Sequence, residues 1–184
     1  MAGLVFTPGP WETNPGGIPD DLLDADGFPR VLHAARRVVQ ARGGRVDGRS
    51  LEWDVVPPRP ELPALHVRFV TGNHDAGDVA IRVVGATHWI PVDVAQAYRA
   101  EPGRRSSDPD LTWTDSAVIG VLDGGYSEFV ELNEHGEWVE RGWHLRAPLG
   151  ADGNRQFNVD LSPDRRTVVR RERRDFPAWP ARPS

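Results

Sequence analysis

Tyr126-Ser-Glu-Phe-Val-Glu-Leu-Asn-Glu-His-Gly-Glu-Trp-Val-Glu-Arg-Gly-Trp-His144 is the stretch on which the fold turns. Short β-type runs rich in aromatic and β-branched residues lie on both sides of Asn133-Glu134-His135-Gly136. Such a four-residue connection suits a type I turn closed by a left-handed glycine. The two runs and the short turn between them therefore predict two antiparallel strands, over residues 126–132 and 137–144. That turn pairs Leu132 with Trp138 and Val130 with Glu140. One face then carries Val130, Leu132 and Trp138, and the other Phe129, Glu131, Val139 and Arg141. A sheet with apolar groups on both faces is covered twice, curls toward a barrel, or binds something.

Working outward, residues 117–123, 155–161 and 167–171 read as further strands with short, turn-rich connections, as a meander requires. Upstream, residues 51–56, 65–70 and 79–84 have the same β-type composition. Before them, Phe28, Val31, Leu32, Ala35, Val38 and Val39 recur at spacings of three and four, which places them on one helical face. Arg30, His33, Arg36, Arg37 and Gln40 occupy the other. Asp26 is positioned to cap this helix, Pro29 suits its first turn, and Gly43-Gly44 ends it. Residues 91–100 read as a short second helix and 101–110 as a loop. Residues 1–27 read as an irregular arm and 175–184 as a flexible tail. The expected architecture is α+β: one main N-terminal amphipathic helix on a curved, mostly antiparallel sheet, a meander able to close like a barrel, in one domain over residues 1–184.

Composition narrows the chemistry more than the class. All 22 residues of the Lys+Arg total are arginine, and there is no cysteine. With abundant Ala, Gly and Pro, this points to a GC-rich, bacterial coding sequence. Selection against amine-directed modification is the sharper alternative. Without lysine there is no Walker-type phosphate loop and no Schiff base. Without cysteine there is no thiol nucleophile, thiolate metal site or disulfide framework. No cofactor and no metal are called for. An EF-hand reading of Asp24-Ala-Asp-Gly27 fails, because its first and twelfth positions fall on Leu22 and His33. No run of 18 apolar residues and no charged, apolar leader are found, so the expectation is a cytoplasmic protein with no membrane contact.

Three constellations could carry function. Residues 123–140 interleave Glu131, Glu134, Glu137 and Glu140 with Tyr126 and Trp138. Acids steer and aromatics anchor, so this set suits a protein partner, a basic one by charge. It points to a small binding protein of the immunity or antitoxin kind, and makes an enzyme the lesser expectation. The alternative is a small-molecule binder or enzyme with a Trp-lined cavity in a curled sheet, using His74, Asp75 and Asp78 as acid–base groups. The weakest is nucleic-acid binding through Arg165, Arg166, Arg170, Arg171, Arg173 and Arg174, since no recognised nucleic-acid motif accompanies them. Residues 165–184 hold seven Arg against Glu172 and Asp175, a balance of +5, so the rest of the chain carries −10 of the total −5.

Overall fold

A computed structural model describes residues 23–49, 51–70, 78–93, 111–148, 154–162 and 167–181. Two open antiparallel sheets and two short helices make up the described fold. Strands β1 (Arg45–Arg49), β2 (Glu52–Val56), β3 (Leu65–Val70), β4 (Asp78–Val83) and β5 (Trp89–Asp93) form a five-stranded meander. Strands β6 (Tyr126–Leu132), β7 (Trp138–Arg146), β8 (Asn154–Leu161) and β9 (Arg170–Asp175) form the second sheet, ordered β8-β7-β6-β9. The single curved sheet that could close into a barrel is thus corrected to two sheets, neither closed. Each buries one face against the same core, and that accounts for the hydrophobic load on both halves of the chain.

Val55, Leu65, Ile81 and Ile90 of the first sheet meet Tyr126, Trp143 and Leu145 of the second in one buried cluster. Helix α2 (Trp113–Leu122) contributes Val118, Val121 and Leu122 to it. Residues 117–123 had read as a strand because Val118, Ile119 and Val121 are β-branched. The helix is apolar on nearly every side and its residues are almost all buried, so it leaves no 3.6-residue stripe in the sequence. Its start, however, carries a capping box. Thr112 Oγ1 accepts from Asp115 N at 3.1 Å while the Asp115 side chain reaches back to Thr112 N at 3.3 Å. Gly120 lets the helix lie against β7, since a Cβ there would stand 2.7 Å from the Arg146 carbonyl oxygen.

The one main helix is likewise corrected. A 3₁₀ turn at Arg30–Leu32 precedes the nine-residue helix α1 (His33–Ala41). Asp26 makes no cap; neither helical start has a side-chain cap bond. Asp24 organises the approach instead, its Oδ1 accepting from Asp26 N at 2.9 Å and Phe28 N at 2.8 Å. Residues 91–93 of the expected second helix belong instead to β5, where Pro91 sits opposite Ala80; residues 94–100 lie outside the described set. Past β9 the chain docks: Phe176 and Trp179 are buried, and Trp179 Nε1 donates to the Pro63 carbonyl at 2.9 Å. Among the described residues no helix is long and apolar enough to cross a membrane.

Candidate functional site

The β6–β7 hairpin is built around Asn133. Its Oδ1 accepts from His135 N at 2.9 Å and Glu137 N at 3.0 Å, and its Nδ2 donates to Glu137 Oε2 at 3.0 Å. Gly136 takes φ 77°, the left-handed position the turn demands. Leu132 lies opposite Trp138 as the turn predicts. A bulge between Glu131 and Leu132 then slips the pairing by one residue, so Val130 faces Arg141 and Glu131 faces Glu140.

Strand β9 covers the other side of β6, and one of its arginines meets a hairpin acid. Arg171 sits opposite Glu131 and donates from Nε to Glu131 Oε1 at 2.8 Å, with Nη2 closer still. The same guanidinium stands 5.1 Å from the Phe129 ring centre. Arg170 pairs with Glu172 and Arg173 with Asp175, both at 2.7 Å. Arg174 differs: its Nη1 donates to the Gly85 carbonyl at 2.7 Å, and no carboxylate among the described residues pairs with it. Arg165 and Arg166 lie outside the described residues. Of the described arginines of β9, Arg171 alone crosses to a hairpin acid, so one charge of the split is matched inside the second sheet.

The expected partner residues divide. Tyr126 is wholly buried in the core, away from any surface. Glu131 is held by Arg171 and Glu137 by Asn133. Glu134 is exposed beside His135 at 3.5 Å, and Glu140 and Trp138 are half-buried. The Arg141 guanidinium lies 4.9 Å from the Trp138 ring. Around them gathers something the sequence reading missed. Of the four large hydrophobic residues exposed among the described residues, three are Leu161, Val168 and Val169, at 52, 41 and 59%. Ser162 N donates to the Val139 carbonyl at 2.8 Å and Val169 N to the Leu132 carbonyl at 2.9 Å. The end of β8 and the approach to β9 thus flank the tip of the hairpin from both sides. These valines and leucine are unremarkable in sequence, and the strand order places them at one end of the sheet, on its two opposite edges.

A second cluster also escaped sequence reading. Glu128 Oε1 accepts from Thr87 N at 2.7 Å, from His88 N and His88 Nδ1 at 2.9 Å each, and from Tyr126 Oη at 3.2 Å. Burial alone raises the Glu128 pKa. The His88 side chain, the two backbone N–H groups and the His88 charge more than reverse this, leaving it below the ordinary carboxylate value. Burial, followed by the neighbouring Glu128, pushes the Tyr126 hydroxyl far above its usual range. The cluster clasps the β4–β5 turn of one sheet to β6 of the other. Forty residues separate His88 from Glu128, so no local motif announces it.

The acid–base alternative finds little geometry here. His74 and Asp75 lie outside the described residues. Asp78 opens β4 opposite Asp93. Among the described residues no group of three or more His, Asp or Glu could hold a metal. Trp53, Trp143 and Trp179 fill the core rather than line a cavity. No family model matches the chain, and comparison with curated proteins and with solved structures finds no similar chain.

Proposed function

We propose that this chain is a binding protein that engages a basic protein partner, in the manner of an immunity or antitoxin protein, through the tip of the β6–β7 hairpin. One observation carries the reading: Leu161, Val168 and Val169 are exposed at the same end of the sheet as half-buried Trp138. Exposed large apolar side chains are ordinary when scattered and meaningful when gathered, above all with a polar rim. Here the rim is acidic, with Glu134, Glu137 and Glu140 around an aromatic anchor. Anchors supply affinity and rim charges supply steering and salt sensitivity. The acidic face differs from the sequence expectation in membership: Tyr126 belongs to the core and Glu131 to the arginine strand.

The partner reading is favoured over nucleic acid by the arginine pairing. Arg170, Arg171 and Arg173 already have carboxylate partners, so phosphates would have to displace them. The test is affinity capture from the source cells with the native chain and with the Trp138→Ala/Val169→Asp variant. A partner retained by the first and lost by the second, with binding that weakens in salt, supports the proposal. Equal retention by both chains, with the variant folded, removes it.

A further inference from the structure

The β2–β3 loop, residues 57–64, lines an open, shallow cleft of about 590 Å³ together with Val56, Val84, Arg174, Phe176 and Pro177. That volume lies in the range of small-molecule sites. Pro57, Pro58, Pro60, Pro63 and Pro177 line it. Prolines give rigid, apolar walls with fixed φ and no N–H donors. The Pro63 carbonyl already accepts from Trp179 Nε1 and the Arg59 carbonyl from Leu62 N. The loop is thus tied to the core and its shape is set before any ligand arrives.

Among the described residues two cations, Arg59 and Arg174, line this cleft, and they differ. Arg59 stands 3.3 Å from Glu61, so its charge is matched at the rim. Arg174 is the one arginine of β9 without a carboxylate partner among the described residues. Its guanidinium is held by the Gly85 carbonyl on one side and rests 4.7 Å from the Phe176 ring on the other. Glu128 sits opposite Arg174 in the sheet, but its Oε1 is occupied by Thr87, His88 and Tyr126. A guanidinium fixed at an apolar wall with donors to spare is a carboxylate receptor. One unmatched positive charge, with Glu61 at the rim, fits a monoanion and disfavours a phosphate dianion.

We infer that the cleft between the proline loop and Arg174 binds a small organic acid, an apolar body of aryl size bearing one carboxylate. The carboxylate meets the Arg174 guanidinium and the body lies against the prolines and Val84. This site is on the opposite side of β9 from the hairpin acids and does not depend on the partner proposal.

The experiment titrates the full chain with 2-naphthoate and, separately, with neutral 2-naphthalenemethanol, followed by calorimetry and amide NMR shifts. The native chain is expected to bind the acid at least about tenfold more tightly than the alcohol, the size of one charge-assisted hydrogen bond. Shifts should centre on Leu62, Ala64 and Val84. Arg174→Gln should erase the preference for the acid and leave alcohol binding unchanged. Val84 is 61% exposed, so Val84→Asp tests the site without touching the core, and it should weaken both ligands and the acid more than the alcohol. Equal binding of acid and alcohol by the native chain overturns the inference. So does absence of binding by both, or a preference that survives Arg174→Gln or is undiminished by Val84→Asp.

Discussion

Replacing Asp115 by Asn should make this protein's stability less sensitive to pH near pH 5, and the structure gives both sign and size. Asp115 is fully buried at the start of α2. Its Oδ1 accepts from Ala35 N at 2.7 Å, and Thr112 Oγ1 stands 2.9 Å from Oδ2 and 2.9 Å from the Val31 carbonyl. A hydroxyl has one proton to give. If it goes to Val31, a protonated Asp115 can donate to Thr112 Oγ1 and every group is satisfied. Burial raises the Asp115 pKa, only partly countered by the bonds from Ala35 and Thr112, from 3.8 to about 6. A raised carboxyl pKa means the folded chain binds the proton more tightly than the unfolded chain. Stability is then highest below pH 3.8 as far as this group is concerned, and falls as pH rises to about 6. At about 1.4 kcal/mol per pH unit the loss comes to about 3 kcal/mol. Asparagine cannot titrate, so its cost is constant. Urea unfolding of both chains at pH 4, 5, 6 and 7 should show the native chain losing about 2.4 kcal/mol of that relative to the variant, since pH 4 already lies above the unfolded value of 3.8. A difference that stays flat with pH, or that grows in favour of the native chain, refutes the reasoning.

Other perturbations probe the clasp and the docked C-terminal segment. Glu128→Ala leaves four donors of Thr87, His88 and Tyr126 without their acceptor, and should cost about 3–5 kcal/mol in denaturant unfolding. Because the Glu128 pKa is lowered in the fold, its stabilisation is present above pH 4.5 and lost as pH falls below it, the reverse of Asp115. Trp179→Ala should cost about 3–5 kcal/mol, since the indole is buried and bonded to Pro63. Gly44→Ala places a Cβ 2.6 Å from the Trp179 ring and 2.7 Å from the Val56 carbonyl, and thermal unfolding should report a loss of about 1–3 kcal/mol.

Strand content was legible in the sequence, because β2, β3, β4 and β6 carry β-branched and aromatic residues, and β2 and β3 bury them with period two. In β2, for example, Trp53 and Val55 are buried between exposed Glu52 and Asp54. Strand β1, with Asp47 and Gly48 inside it and mostly exposed residues, gives no such signal; it exists because β2 offers it a ladder. Helix α2 was hidden by its nearly complete burial, although Thr112 and Asp115 marked its start. The slip at Glu131 could not be foreseen, since a bulge costs little locally and is set by the strands on both sides. The acidic hairpin and arginine strand were visible as charges, but not that Arg171 would neutralise Glu131. Long-range pairing decides that, and alternation within a strand is blind to it.

The proposed binding surface for a basic protein is the hairpin tip, with Trp138, Glu134, Glu140, Leu161, Val168 and Val169. Amide hydrogen exchange of the chain with and without the captured partner tests it most directly. The prediction is slowed exchange at residues 132–140, 161–162 and 167–169, with the first sheet and residues 57–64 unchanged. Protection centred on the first sheet or on the proline loop, with the hairpin tip exchanging as in the free chain, contradicts it.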